Sequence, residues 1–492
     1  MKKILINAKY PEEKRVAIME GDRLADFYVE TATKEHLRGN IYKGVITRVE
    51  PALQAVFVDF GPKKHGFLQV REIMPELLPS ILPNKGKGKK KLQDLLQKGQ
   101  ELIVQVERDE RDTKGASLTT YISLPGRYLV MMPGRETVGI SRKIEERKDR
   151  ERMKEMLASL QLPEKMGFIL RTAGGDKATE DLANDLKYLE KLWARIEEDG
   201  KKAHAPALIY KEQDIAVRTV RDYLTSDVGQ VLIDDLETAK NVKAFLKQTV
   251  PGRKINVKLF KEKHPIFEMH NIEEQIARVS DRYVRLPSKG YLVFDRTEAL
   301  TAIDVNSGRS RKEKNIEQTA LQTNLEAADE IARQLRLRDI GGLIVIDFID
   351  MESRKNRRQV EARLRAALAT DKAHTDVSGT SMFGAIEMTR ERLRTAYSES
   401  TYEKCPACEG AGVLKTGETL ALAAFRDIEM RAGKGGAEKI ACRLPVGSAN
   451  YLMNTKRKEL LDMEKDSNIK IDIIGDPSLP PGQYALDINS GS

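Results

Sequence analysis

Two short apolar runs that each end on an aspartate limit the fold of this chain more than any other feature. Leu343-Ile344-Val345-Ile346 leads into Asp347, and the stretch Ala299–Asp304 leads into Asn306-Ser307-Gly308. Apolar runs this short, bounded by turn residues, fit buried strands better than helices. Each places a carboxylate where a buried strand meets a loop. Asp304 and Asn306 are two apart, so on an extended chain they project from one face. If the two strands are neighbours, Asp304 and Asp347 offer oxygen ligands to a hard divalent cation. Mg²⁺ takes one or two carboxylates, keeps several waters and lets a phosphate complete its shell, a geometry suited to phosphodiester hydrolysis. Two bland readings compete. Asp304 followed by Asn-Ser-Gly also fits a turn in which the carboxylate caps backbone N–H groups, and structural ion pairs bury carboxylates as well. At Asp347 an unpaired buried carboxylate is costly.

The chain has 492 residues, too many for one core, which predicts about three or more domains. With 40% hydrophobic residues and a mean hydropathy of -0.48, it reads as soluble and globular. A net charge of +9 and a pI near 9.1 favour a polyanionic partner. No apolar run approaches the ~20 residues that span a bilayer, and the apolar stretch after Lys2-Lys3 is too short for a signal peptide. Three cysteines do not make a disulfide framework. A cytoplasmic location is the expectation.

Residues 1–36 predict three strands, Lys3–Asn7, Lys14–Glu20 and Arg23–Glu30, which is too little for a domain and implies a sheet completed from elsewhere. From Gly39 to Phe67, short β-rich segments with Gly turns, aromatics and interleaved Lys/Arg predict a small RNA-binding barrel closed by Leu102–Val106. Phe57, Phe67 and Lys114 are its candidates for base stacking and phosphate contact, with core packing the alternative for Phe57. The Lys-Gly stretch 85–91 predicts a phosphate-attracting loop. Helical spacing runs through Arg142–Leu160 and Asp181–Glu198, the latter with Leu182, Leu186, Leu189, Leu192 and Ile196 on one stripe. Helicity is also expected at Asp222–Leu224. Arg171-Thr172, at a strand end, could grip a terminal phosphate. Arg354, Lys355, Arg357 and Arg358 could track an RNA backbone or simply face solvent.

Cys405-Pro406-Ala407-Cys408 followed by Gly410 and Gly412 reads as a zinc-knuckle turn. A structural zinc takes four ligands, so a second copy of the chain, across a two-fold contact, most simply supplies the other pair. A thioredoxin-like redox pair is the rival reading. Cys442 is distant in sequence.

At these residues the chain resembles the bacterial ribonuclease E/G family. The motifs that carry the likeness are Asp304-Val305-Asn306-Ser307-Gly308, Asp347-Phe348-Ile349-Asp350-Met351, Cys405–Cys408, Arg171-Thr172 and the stretch Gly39–Phe67, in one order over essentially the whole length. In length it is similar to the shorter ribonuclease G type. The resemblance implies a multidomain α/β and α+β protein. A ribonuclease H-like domain is split between 1–36 and 216–279, around an OB-fold barrel at 37–119 and a 5′-sensor at 120–215. A deoxyribonuclease I-like catalytic domain follows at 280–401, a zinc link at 402–415 and a small dimerisation domain at 416–492.

It also implies roles. Asp304 and Asp347 hold Mg²⁺, with Asn306 orienting the site. Arg171, Thr172, Gly126, Val130 and Arg142 form a pocket for a 5′-monophosphate. Phe57, Phe67 and Lys114 hold single-stranded RNA, and Cys405 and Cys408 share Zn²⁺ with a partner protomer. The implied activity is endonucleolytic cleavage of single-stranded RNA, in rRNA precursors and mRNA, leaving 5′-phosphate and 3′-hydroxyl ends. The implied assembly is a homodimer or a dimer of dimers. The alternative is a non-catalytic RNA-binding scaffold. The Lys-rich stretch 85–91 departs from the family pattern, and Cys442 receives no role.

Overall fold

The computed structural model describes residues 2–32, 37–77, 96–110, 114–141, 143–144, 146–175, 177–225, 227–251, 255–308, 316–393, 401–434 and 436–489. Arg142 and the Lys-rich stretch 85–91 lie outside them. The chain divides into two compact units, Met1–Tyr397 and Ser398–Ser492.

The first strand, Lys2–Tyr10, is apolar without alternation from Ile4 to Ile6, the pattern of a strand buried on both faces. Ile4 and Ile6 pack on helices Ile215–Tyr223 and Leu236–Thr249, while Leu5 faces Ile266 and Phe267 on the other side. Such a strand needs neighbours on both edges. It pairs antiparallel with Glu13–Glu20, which continues to Arg23–Thr31, and parallel with Val228–Ile233, which continues to Val257–Leu259. The five-stranded sheet is thus assembled from segments two hundred residues apart.

Between these segments lie two further sheets. Strands Ile41–Glu50, Ala55–Asp59, Gly66–Gln69, Ser117–Thr119 and Glu101–Arg108 pair in that order, and the first pairs again with the last, closing a barrel. Ile46, Val56, Val58, Phe60, Leu68 and Val104 fill it. Gly44 is required by the closure, because a Cβ there would lie 2.6 Å from a Val58 methyl. The second sheet has the order Val138–Ile140, Met166–Leu170, Leu129–Pro133, Leu124–Pro125. Helices Arg147–Ala158 and Thr179–Lys202 pack on it through Met153, Leu157, Leu182, Leu186, Leu189 and Ile196.

The next sheet runs Tyr283–Arg285, Tyr291–Arg296, Leu300–Asn306, Gly342–Asp347, Ala385–Arg390, Thr375–Thr380. Its strands alternate. Leu292, Phe294, Ile303, Val305, Ile344, Ile346, Ile386 and Met388 turn to one face, where helices Ile316–Arg338 and Arg354–Leu368 cover them. Asp304, Leu343 and Asp347 turn to the other, exposed face.

In the second unit, helix Gly417–Gly433 packs on a three-stranded sheet of Lys470–Gly475, Lys439–Leu444 and Ala485–Asn489. Cys442 is buried at the centre of that core, which gives it a packing role, and burial pushes its thiol up to about 12.

Two helix starts differ from the sequence expectation. The helix expected at Asp222–Leu224 begins at Ile215, where the Asp214 carboxylate caps the Val217 N–H at 3.0 Å. The one expected from Arg142 begins at Arg147.

Candidate active site

Asp304 and Asp347 are direct partners in the parallel ladder between Leu300–Asn306 and Gly342–Asp347. Paired residues share a face on strands about 4.8 Å apart, so the two carboxylates stand side by side at the strand ends, on the helix-free face. The Asn306 amide donates to Asp304 Oδ2 at 2.7 Å, as the two-residue spacing predicts. Asp347 carries the electrostatic signature of the cluster. Partial burial raises its carboxyl above the ordinary range, and the negative charges of Asp304 and Asp350 push it the same way. A divalent cation between Asp304 and Asp347 relieves that repulsion. All the donors here are hard oxygens, which fits Mg²⁺ rather than a thiophilic metal. Among the described residues no group of three or more His, Cys, Asp or Glu is placed to hold a metal ion.

On the barrel, Phe57 and Phe67 are register partners with ring centroids 5.8 Å apart, and both are half-buried on the outside rather than packed in the core. The Arg48 guanidinium lies 4.5 Å from the centre of the Phe57 ring. The backbone of Lys114 runs alongside. Gly115 abuts the His65 carbonyl, and the Ala116 carbonyl accepts from the Phe67 N–H at 2.8 Å. Lys114 itself is exposed. Arg48, and His65 hydrogen-bonded to Thr47 at 3.1 Å, belong to this surface and were missed in the sequence. Arg48 pairs with Phe57 just after a register irregularity between Ile46 and Arg48, which could not be placed from the sequence.

Around Arg171, the guanidinium donates to the Gly126 carbonyl and to Asp222 Oδ1, both at 2.6 Å. Val130 pairs with Ile169, two residues before Arg171, and Thr172 is exposed beside it. Gly126, Val130, Arg171 and Thr172 therefore gather at one place, while Arg142 is not described. The Arg171 fork is already engaged by a carboxylate, which sequence spacing gave no means to see. Asp185 was also missed. Fully buried, it accepts from the N–H groups of Arg127, Tyr128 and Leu129 at 3.0, 2.7 and 2.9 Å, and so fixes the turn that presents Gly126.

In the second unit, Cys405 and Cys408 sit on a turn before helix Gly417–Gly433, and the described residues 401–404 just before the pair form no strand. The N–H groups of Gly410 and Gly412 and the Cys405 thiol hydrogen-bond Cys408 and hold its thiol below the ordinary range. Both glycines have positive φ, +98 and +70, which turns those N–H groups inward. This is the donor arrangement of a thiolate metal ligand.

Residues 123–393 match the description "Ribonuclease E/G family", residues 35–120 match "S1 RNA binding domain", and residues 404–489 match "RNase E/G, Thioredoxin-like domain". The chain belongs to the ribonuclease E/G family. Ribonuclease E of Haemophilus influenzae is 47% identical over 487 residues, covering 99% of this chain and 52% of that protein. Ribonuclease E of Escherichia coli K12 is 46% identical, covering 100% of this chain and 46% of its own length. Ribonuclease G of the same strain is 39% identical, covering 86% and 87%. The chain thus spans about half the length of the ribonuclease E relatives. The family places an S1 barrel before a mixed α/β body, as observed. No described helix is long and apolar enough to cross a membrane.

Proposed function

We propose that this protein is a Mg²⁺-dependent endoribonuclease that cuts single-stranded RNA, leaving 5′-phosphate and 3′-hydroxyl ends. The observation that carries this reading is the in-register pairing of Asp304 with Asp347 on an open sheet face. When bound, Mg²⁺ would activate water and neutralise charge developing on the scissile phosphate. Asp304 and Asp347 hold the cation side, and the Asn306 amide fixes the Asp304 carboxylate. The barrel surface of Phe57, Phe67 and Lys114 holds the RNA strand. The Arg171, Thr172, Gly126 and Val130 cluster, with Arg142, receives a 5′-monophosphate that competes with Asp222 for the Arg171 fork. The substrates are rRNA precursors and mRNA, and the setting is the cytoplasm.

The split five-stranded sheet supports a ribonuclease H-like domain from residues 1–36 and 216–279. The one-sided helix layer supports a deoxyribonuclease I-like domain at 280–401, with the barrel at 37–119 and the 5′-sensor at 120–215. The link at 402–415 and the domain at 416–492 join protomers, Cys405 and Cys408 sharing Zn²⁺ with a second copy in a homodimer or dimer of dimers.

Asp304→Asn and Asp347→Asn test the reading against the scaffold alternative. Each is expected to lower the cleavage rate by about 10²-fold or more with RNA affinity retained. Unchanged cleavage in both would falsify the enzyme.

A further inference from the structure

The open face of the catalytic sheet carries more than the acid pair. Val293 is the register partner of Asp304, Tyr291 is the partner of Asn306, and Tyr283 is the partner of Val293. Leu292 and Phe294 turn to the helix side, so Tyr291 and Val293 face the same way as Asp304. On the edge strand, Val284 packs toward the helices and Tyr283 faces the open side. Tyr283 and Tyr291 are 55% and 36% exposed, and their ring centroids lie 6.1 Å apart across the strand diagonal. Arg282 fixes one end of the pair. Its guanidinium is held by both Asp295 oxygens at 2.6 and 2.7 Å, donates to the Tyr283 hydroxyl at 2.9 Å and lies 5.3 Å from that ring's centre. Arg285, exposed on the same strand, adds a cation to this face.

We propose that Tyr283 and Tyr291 form a stacking platform for unpaired RNA bases beside the scissile phosphate, so that they help position the strand over Asp304 and Asp347. The proposal rests on the endoribonuclease reading. Tyr283 lies two strand spacings from Asp304, about 10 Å, a distance that an extended nucleotide chain crosses in roughly one or two nucleotides. Single-stranded nucleic acid is held sequence-tolerantly by aromatic rings beside cations, because every base has a π-face. By register the two rings lie level with the acid pair on the same face, and both are exposed. A purely structural pair is the competing account, since cross-strand aromatics also steady a sheet.

The test uses the full chain and short RNAs with a single cut site, each carrying one abasic nucleotide at successive positions from that site. Tyr283→Ala and Tyr291→Ala are expected to raise KM about tenfold on the intact RNA. Tyr283→Phe and Tyr291→Phe keep the ring and are expected to stay within about twofold. An abasic nucleotide at the position over the rings should weaken the parent protein equally and erase the difference between parent and Ala variants. Unchanged KM in the Ala variants overturns the platform. So does a rise in KM that every abasic RNA shows undiminished, particularly with a lowered melting temperature, because that marks sheet support instead. Asp304→Asn separates the two levels. If it cleaves at the parent rate, as Asp347→Asn also does, the enzyme reading fails. If it is inactive while the tyrosine variants show no dependence on a base, only the platform fails.

Discussion

Lys372 joins the neighbourhood of Arg171 to the segment that leads into strand Thr375–Thr380. Its ammonium donates to the Asp222 carbonyl and lies 3.8 Å from the centre of the Tyr223 ring, while Lys143 reaches the carbonyls of Asp371 at 3.0 Å and Ala373 at 3.3 Å. Burial pushes Lys372 down to about 8, with Arg171 and Lys143 adding like charge and Asp222 and Asp26 opposing. The unfolded lysine titrates near 10.4. Between about 8 and 10.4 the unfolded chain therefore binds a proton that the folded chain has shed, and stability rises with pH across that window. Below pH 8 the full penalty for the buried charge is present. The gain is at most roughly 3 kcal/mol, since the Tyr223 ring and the Asp222 carbonyl favour the charged form. The urea midpoint should climb from pH 7.5 to 9.5 in the parent, and the climb should shrink in Lys372→Met. An identical climb in both proteins removes Lys372 as its source. At this scale the sequence showed residue types well and partners poorly. Phe57 and Phe67 were expected on the barrel with core packing the alternative for Phe57, and the structure leaves both half-buried outside the barrel core. The Asp222 partner of Arg171 lies 51 residues away and had no local signal.

At the scale of elements, the apolar runs that end on Asp304 and Asp347 were readable because hydrophobic burial has to follow strand periodicity. Their side-by-side pairing was not, since register between strands 43 residues apart is fixed by the helix Ile316–Arg338 that crosses between them. The anchor of the neighbouring strand was equally hidden. Arg390 ends Ala385–Arg390 opposite Gly342, where the Asp347 strand begins. It looks like any surface arginine in Thr389-Arg390-Glu391-Arg392, yet it is only 3% exposed. Its guanidinium meets Asp371 at 2.7 Å, Asp339 at 2.9 Å and the Ile340 carbonyl at 2.8 Å. Removing one member of a buried charge cluster leaves the others uncompensated, which costs about 3–5 kcal/mol. Arg390→Met is expected to lose that much in denaturant unfolding, whereas Arg358→Met, on the exposed side of helix Arg354–Leu368, should stay within about 0.5 kcal/mol. A loss below about 1 kcal/mol for Arg390→Met would mean that the triad is relaxed in solution.

For the whole molecule, stoichiometry sets the argument. A structural zinc site closes with four ligands, and each chain brings one knuckle, Cys405 and Cys408, with the glycine N–H groups already turned toward Cys408. Cys442 is buried in the core of the second unit among Ile440, Leu444 and Leu452, a packing position rather than part of the exposed knuckle turn. Under the proposed reading the remaining two ligands come from a second copy across a two-fold axis, which would make metal content and subunit number one equilibrium. Chelator treatment should release one zinc per two chains and shift the mass read by light scattering to half-sized particles, and added zinc should restore it. Cys405→Ser and Cys408→Ser should each reproduce the smaller mass without chelator. Because the acid pair lies in the first unit, the dissociated chains should still cleave short RNA once magnesium is resupplied. Verified zinc loss with no change in mass would show that other surfaces hold the copies together, and one zinc per chain would show that each knuckle closes its own site.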